Sequence, residues 1–309
     1  MQLINRKIVS LVFILIIFFF IGRAIFREWD KISEHHWSPH PTWLIFSIIV
    51  ALIAYLVSAY EWTLILKMIG GRIGWSKGIS IFLFSIFGRY IPGGIWAALG
   101  RVYLCRLEGV PDSRSSMSIL LEQAYPVISA CLVFVISLLF WNDAGPLARM
   151  SPLLLTLPLL ILFLHPKPFL RIINPVLRWY GKGPVNISLS FRNMLVLTGY
   201  YAFSWLIGGI AFYAFVRAFY QLELSSIPVI IGIYAFSFTA GYLAFLAPAG
   251  LGVREGILTV LLSLFIPTPI AIGVALLSRL WLVGVELIIL LMLFLHLETR
   301  KMMKTALGW

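Results

Sequence analysis

The fold of this chain is decided by the stretch Phe245-Leu246-Ala247-Pro248-Ala249-Gly250-Leu251-Gly252-Val253-Arg254-Glu255-Gly256. The segments on both sides are apolar enough to lie in a lipid bilayer. A helix does not continue unbroken through Pro248, because the ring removes a backbone donor and clashes with the preceding turn. Irregular backbone at membrane depth is tolerated only where it is buried in protein or lines a wet cavity. We therefore predict a helical arm over 227–246, a tight break over 247–252 and a second arm over 254–265.

The same stretch places an arginine and a glutamate where the flanking segments predict lipid. A charge inside a membrane costs at least about 2.5 kcal/mol on insertion scales and usually marks a function. The break also places helix N-terminal amides near Gly252 and Arg254, which predicts an anion site. A proline-kinked helix with packing glycines is the alternative for the proline and glycines alone. The adjacent Arg254 and Glu255 favour the broken helix, and as neighbours on a helix we expect them not to pair with each other.

Composition places the whole chain in the membrane. Its 309 residues are 61% hydrophobic and only 12% charged, against about 45–50% and about 25% in soluble domains. The net charge of +12 does not indicate nucleic-acid binding, because the basic residues lie in short loops between apolar runs. Cys105 and Cys131 lie in or near apolar segments, so we expect no disulfide and no metal site.

Apolar runs of about 20 residues predict membrane-spanning helices. The spanning runs lie at about 8–26, 42–66, 115–141, 150–165, 193–220 and 269–297, and two interrupted runs lie at about 78–108 and 227–266. The Lys- and Arg-rich loops all face one side if each interrupted run enters and leaves the membrane on the same side. We expect that side to be the cytoplasm, with both chain termini on it.

The first interrupted run contains a related sequence, Gly88-Arg89-Tyr90-Ile91-Pro92-Gly93-Gly94-Ile95-Trp96-Ala97-Ala98-Leu99-Gly100-Arg101. A shift of 156 positions without gaps superposes Pro92 on Pro248, Gly94 on Gly250 and Gly100 on Gly256. The predicted hairpin breaks are therefore Pro92, Gly93, Gly94, Pro248, Gly250 and Gly252.

Each half of the chain then has two spanning helices, a hairpin and one more helix, and the second half starts on the opposite face. We predict an all-α polytopic membrane protein of about six transmembrane helices plus two opposed re-entrant helical hairpins in an inverted repeat. It forms a single integral membrane domain over 1–309, with halves at about 5–141 and 150–299. Inverted repeats with broken helices are a recurring architecture of transporters.

The elements Ile91-Pro92-Gly93-Gly94, Gly100-Arg101 and Pro248-Ala249-Gly250-Leu251-Gly252-Val253-Arg254-Glu255 resemble the membrane region of lysylphosphatidylglycerol synthases. This region is the flippase half of the bacterial multiple peptide resistance factor proteins. The resemblance covers roughly residues 5 to 299, and Pro-x-Gly-x-Gly-x-Arg-Glu is its specific part. Those synthases carry a soluble aminoacyl-transferase domain after this region, whereas this chain ends at Trp309, so we expect a stand-alone member.

The resemblance implies movement of a lipid or lipid-linked substrate across a bacterial or archaeal cytoplasmic (inner) membrane. It gives no support for the synthesis of lysyl-lipid. Related stand-alone proteins are associated with polyprenyl-linked sugars, so the headgroup stays open between an anionic phospholipid and a polyprenyl-phosphate sugar.

A lipid translocator needs a polar path for a charged headgroup, and the planar arginine fork suits bidentate contact with phosphate. The predicted substrate-binding residues are Arg89, Arg101, Glu122, Arg254, Glu255 and Arg279. Substrate contact and structural ion pairing both stay open for this set. The internal alignment predicts that Glu122 on one repeat meets Arg279 on the other. Glu122 and Glu255 are also candidate proton carriers, whereas Glu61 is predicted to be interfacial.

The sequence contains no Ser-His-Asp set, no HExxH motif and no phosphate-binding Walker loop. We therefore predict neither an enzyme nor a cofactor. Two alternatives to transport remain. One is a non-transporting partner subunit of an envelope glycosyltransferase, and the other is a membrane-embedded enzyme that modifies a lipid.

Overall fold

The computed structural model of the chain describes Phe26, 37–90, 96–141, Arg171, 190–244, Gly250 and 252–295. The predicted spans at 8–26, apart from Phe26, and at 150–165 lie outside these residues. The predicted break residues Pro92, Gly93, Gly94 and Pro248 lie outside them as well.

All regular structure in the described residues is helical, which confirms the predicted all-α class. The α-helices are α1 (Pro41–Met68), α2 (Trp75–Ser85), α3 (Trp96–Leu107), α4 (Asp112–Ser137), α5 (Phe191–Phe219), α6 (Ile227–Leu243), α7 (Val253–Leu262) and α8 (Thr268–Leu295). Short 3₁₀ turns lie at Ile86–Tyr90, Leu138–Phe140 and Leu224–Ser226.

Five of these segments are long and apolar enough to cross a membrane. They are Pro41–Met68, Asp112–Phe140, Phe191–Phe219, Leu224–Leu243 and Thr268–Leu293. Four of them correspond to predicted spans. The fifth consists of α6 and the 3₁₀ turn before it, which was predicted as one arm of a re-entrant hairpin. Its 20 residues reach the length that a bilayer requires, so the re-entrant course of this hairpin stays a prediction.

Helix boundaries repeat along the chain at the offset found in the sequence. Asp112 begins α4 and Thr268 begins α8, and these residues are 156 positions apart. The starts of α3 and α7 follow the same offset to within one residue. The order of a long helix, two shorter helices and a long helix therefore occurs twice, while the inverted orientation of the two halves stays a prediction.

The described residues divide into two compact units. The first unit comprises 37–53, 137–141, 206–244, Gly250 and 252–288, and it contains α6, α7 and most of α8. The second unit comprises 54–90, 96–136, 190–205 and 289–295, and it contains α2, α3 and almost all of α4. The long helices α1 and α5 contribute a part to each unit.

In the first unit, α6 and α7 pack against each other on either side of the break. A Cβ atom on Gly241 would lie 2.8 Å from the Cβ of Arg254, so glycine is needed where α6 meets α7. Gly250 has a φ of +64° and Gly252 a φ of +81°, a region that glycine adopts without steric cost. The first arm ends at Leu243, three residues before the predicted end, and the second ends at Leu262.

In the second unit, α2 and α3 form the corresponding pair. A Cβ atom on Gly88 would lie 2.5 Å from the backbone nitrogen of Ala97, so the chain after α2 packs directly on the start of α3. The core of this unit is a cluster of side chains from α1, α4 and α5: Ile65, Leu121, Tyr125, Met194, Leu197 and Tyr201.

The substitution Gly250→Ala tests the close packing at the break. A Cβ there would lie 2.5 Å from the Gly241 carbonyl oxygen, and a left-handed conformation costs a non-glycine residue about 1–2 kcal/mol. We expect a lower midpoint of thermal unfolding for the purified protein in detergent. Gly256→Ala is the matched control, because its Cβ meets no atom within 4 Å and alanine favours the helix by about 0.5–1 kcal/mol. An unchanged midpoint for Gly250→Ala would contradict the packing described here.

Candidate functional site

The first unit contains a charged cluster formed by Arg254 and Glu255 at the start of α7 and by Ser278 and Arg279 on α8. We call it the Glu255 cluster, because the Glu255 carboxylate is at its centre. Its Oε1 accepts hydrogen bonds from Arg279 Nη1 at 3.1 Å and from Arg254 Nη1 at 3.3 Å. One carboxylate therefore binds two guanidinium groups and joins α7 to α8.

Glu255 also occupies the N-terminus of its own helix. The backbone nitrogen of Gly252 donates a hydrogen bond of 2.8 Å to Glu255 Oε2, which is the reach-back contact of a capping box. The sequence predicted an anion site at these amides, and the anionic group at the Gly252 amide is a carboxylate of the chain itself.

Arg254 connects α7 with α6 and α8 in the first unit. Its Nη2 donates to Ser278 Oγ on α8 at 3.1 Å, and that hydroxyl donates to the carbonyl oxygen of Ala275 at 2.7 Å. The guanidinium carbon lies 4.9 Å from the ring centre of Phe238 on α6, within the range of a cation–π contact.

The expectation that Arg254 and Glu255 do not pair is wrong. Glu255 turns back to cap the helix, and the long arginine side chain folds toward the same oxygen.

The Glu255 cluster contains two guanidinium groups and one carboxylate. The Arg254 and Glu255 side chains are each only 6% exposed, whereas Arg279 is 32% exposed. Among the described residues, the bond to Glu255 is the one hydrogen bond of the Arg279 side chain. Arg279 is therefore the member of the cluster that a ligand can reach, and Arg254 and Glu255 hold the surrounding charges in place.

The second unit contains a related arrangement around Arg101 of α3. Its Nη1 forms an ion pair with Glu122 of α4, and its Nε donates to Ser85 Oγ of α2 at 2.9 Å. The guanidinium carbon lies 4.5 Å from the ring centre of Phe82 and 4.9 Å from that of Trp62. The Arg101 and Glu122 side chains are 7% and 14% exposed. This pair is electrically balanced and largely closed to ligands.

Both arginines contact a phenylalanine at the same position of the internal repeat. Phe82 and Phe238 are 156 positions apart, and each ring lies against one guanidinium group, that of Arg101 or of Arg254. The shift of 156 positions also superposes these two phenylalanines. Because Phe is abundant in the chain, this match alone does not indicate an equivalent site.

The residues that each arginine bonds on the following long helix are also equivalent. Glu122 aligns with Ser278, and each accepts a hydrogen bond from the arginine of its own unit. The alignment did not reveal this, because it places Arg101 opposite Ile257, one helical turn away from Arg254. Each half therefore places a guanidinium group next to an equivalent phenylalanine and an equivalent hydrogen-bond partner. The two arginines themselves lie one helical turn apart in the alignment.

Comparison with protein families agrees with the resemblance seen in the sequence. The family model of the lysylphosphatidylglycerol synthase TM region matches residues 7–295. The chain belongs to this family. No curated protein matches it. The match confirms the resemblance that the Pro-Gly elements indicated, and it places the chain in a lipid-related family of membrane proteins.

The structure also bears on three further predictions for this family member. Glu122 and Arg279 each have an ion-pair partner within their own unit, and their predicted contact across the repeat stays a prediction. Arg89 lies in the 3₁₀ turn Ile86–Tyr90, and its side chain is outside the described set. Glu61 was predicted to be interfacial, yet its side chain is completely buried in the second unit.

No three His, Cys, Asp or Glu side chains come together as a metal site within the part of the chain that the structure describes. Cys105 and Cys131 are both free thiols.

The Arg101–Glu122 pair predicts a specific pattern of stability. Glu122→Leu leaves the Arg101 charge buried without its carboxylate, and breaking a buried ion pair in this way costs about 3–5 kcal/mol. The double substitution Arg101→Met with Glu122→Leu removes both charges and should restore most of that loss. Unfolding in denaturing detergent, followed by circular dichroism, measures both variants. A double variant as unstable as Glu122→Leu would contradict a role limited to pairing.

Proposed function

We propose that this protein moves the anionic headgroup of a lipid or lipid-linked substrate across the cytoplasmic membrane while the lipid tails stay in the bilayer. The observation that carries this proposal is the Arg279 guanidinium group, which is 32% exposed and is held by the buried Glu255 carboxylate. Charged groups in membrane-spanning segments are costly and usually mark substrate or ion pathways. A phosphate bound at Arg279 places its negative charge beside a guanidinium group that the protein already holds in position.

The geometry of the cluster supports phosphate as the recognised group. The exposed Arg279 offers a rigid fork of donors, which suits the oxygens of a phosphate better than a lysine does. Arg254 and Glu255 are buried and fix the orientation of that fork. The shared chemistry covers both substrate classes kept open by the sequence, an anionic phospholipid and a polyprenyl-phosphate sugar.

The balanced pair in the second unit has a different proposed role. Arg101 and Glu122 neutralise each other, and two aromatic rings cover the guanidinium group. We assign this pair to holding α2, α3 and α4 together rather than to the substrate. Arg89 stays a candidate for substrate contact on its sequence position alone.

The first test is mass spectrometry of the lipids that remain bound to gently purified protein, with Arg279→Gln as the variant. We expect an enriched anionic phospholipid or polyprenyl phosphate in the wild type. Its retention should fall about tenfold or more in the variant, because a hydrogen bond to a charged group contributes about 1.5–3 kcal/mol.

Arg217→Gln is the matched control for this experiment. It removes the same charge from the same unit, at a guanidinium group that lies 4.3 Å from the Trp43 ring and outside the Glu255 cluster. Equal loss in both variants would indicate a general charge effect and contradict a site at Arg279. No enrichment in the wild type over the bulk membrane would remove the basis for transport and favour the partner-subunit alternative.

The proposed orientation puts both termini in the cytoplasm, and two exposed positions test it. In a chain without its native cysteines, Gln221→Cys should react with a membrane-impermeant maleimide added to intact cells, and Gly74→Cys should not. Both residues are exposed, and a Cβ on Gly74 meets no atom within 4 Å. Both variants should react after permeabilisation, which controls for access. The opposite labelling pattern in intact cells would overturn the orientation.

A further inference from the structure

Glu61 of α1 is a buried carboxyl group that no part of the proposed transport site uses. Its side chain is completely inaccessible, as is that of the following Trp62. It belongs to the second unit and lies in the C-terminal third of a segment long and apolar enough to cross a membrane. A leucine would fill such a position without any polar group to bury.

Neither oxygen of Glu61 meets full hydrogen-bond geometry with a described residue, although the Ser204 hydroxyl faces the carboxyl group. The polar groups that face it are the Ser204 hydroxyl on α5 and the Glu122 carboxyl on α4. Tyr201 on α5 also lies near Glu61, and Tyr125 on α4 and Arg101 on α3 lie around that tyrosine. Arg101 forms its ion pair with Glu122, and among the described residues no cation is paired with Glu61.

These surroundings decide which form of Glu61 is stable. An ionised carboxylate without a partner costs several kcal/mol in a protein interior and becomes neutral by taking a proton. A second carboxylate nearby raises that cost, because two like charges repel at short range. The resting form of Glu61 is therefore the protonated acid.

A route for the proton lies beside the carboxyl group. Ser204 faces Glu61 and also forms a hydrogen bond of 3.2 Å with the Ser58 hydroxyl, one turn earlier on α1. Both serines are only half-buried. Hydroxyl groups donate and accept at the same time, so this pair can pass a proton between Glu61 and the edge of the unit.

We propose that Glu61 is a proton-binding site and that its protonation couples the proton gradient to headgroup movement. The step requires only the transfer of one proton from water to the carboxylate on one face and its release on the other. Release leaves a negative charge beside Glu122 and so perturbs the Arg101–Glu122 ion pair that holds α3 to α4. The coupling rests on the proposed transport function, whereas the proton binding does not.

The transport experiment uses the full chain in vesicles of phosphatidylethanolamine and phosphatidylglycerol. The probes are phosphatidylglycerol and a polyprenyl phosphate, each with a fluorescent label on the tail. Quenching from outside measures the ratio of label between the two leaflets with and without an imposed pH gradient. For one proton per lipid, a gradient of one pH unit shifts this ratio by up to about tenfold. Glu61→Gln keeps the shape of the neutral acid and should abolish the shift.

Glu286→Gln is the matched control, because Glu286 is also a buried carboxyl group in a membrane span, on α8. It should keep the gradient response. A wild type whose ratio ignores the gradient, or a Glu61→Gln variant that keeps the wild-type shift, overturns the coupling and leaves the transport proposal standing. A wild type that moves neither probe overturns the transport proposal and the coupling together.

Infrared spectroscopy tests the proton site without any transport. As the pH is raised, the wild type should lose a protonated carboxyl band that is absent from Glu61→Gln and present in Glu286→Gln. A band that persists at every pH, or one that Glu61→Gln retains, overturns the assignment. This result does not depend on the choice of lipid probe.

Discussion

A guanidinium group placed among apolar helices must find its partners inside the protein, and this constraint organises both units. Arg101 bonds Ser85 and Glu122 and packs on the rings of α1 and α2, so four helical segments meet at one side chain. Arg254 does the same for α6, α7 and α8. Because an unpaired charge at these positions costs several kcal/mol, the short helices cannot shift without breaking contacts that the surrounding lipid is unable to replace.

The two units satisfy this constraint with different partner residues. The guanidinium groups share a phenylalanine and a hydrogen-bonded partner at equivalent positions of the repeat, but the partner is a carboxylate in one case and a serine in the other. Glu122 neutralises Arg101, whereas Ser278 leaves the charge of Arg254 to be shared with Glu255. Arg279 adds a second guanidinium group to the same carboxylate. The two units therefore build an ion pair and the proposed recognition site around equivalent phenylalanine and partner positions.

The sequence was sufficient for the helices and for the family, but not for the side-chain pairs. Long apolar runs and the Pro-Gly elements have local physical causes, so the spans and the approximate position of the break could be predicted. The pairing of Arg254 with Glu255 depends on two flexible side chains that turn toward one point, which backbone spacing on a helix does not reveal. Glu61 was expected at the interface because it lies near the predicted cytoplasmic end of its helix, beside Trp62. Its burial results from the packing of α1 with α4 and α5, which no local pattern encodes.

The position of Glu255 is compatible with the proposed transport of a phosphate headgroup. In the free protein its Oε1 already binds Arg254 and Arg279, so an incoming phosphate competes with an internal carboxylate for Arg279. Its Oε2 keeps the hydrogen bond to the Gly252 nitrogen, which holds the carboxylate close enough to rebind when the phosphate leaves. Conduction through a membrane protein requires binding strong enough for entry and weak enough for release. In the proposed mechanism, a built-in competing anion lowers the net gain from each phosphate contact, and Arg279 regains its internal partner after the headgroup departs.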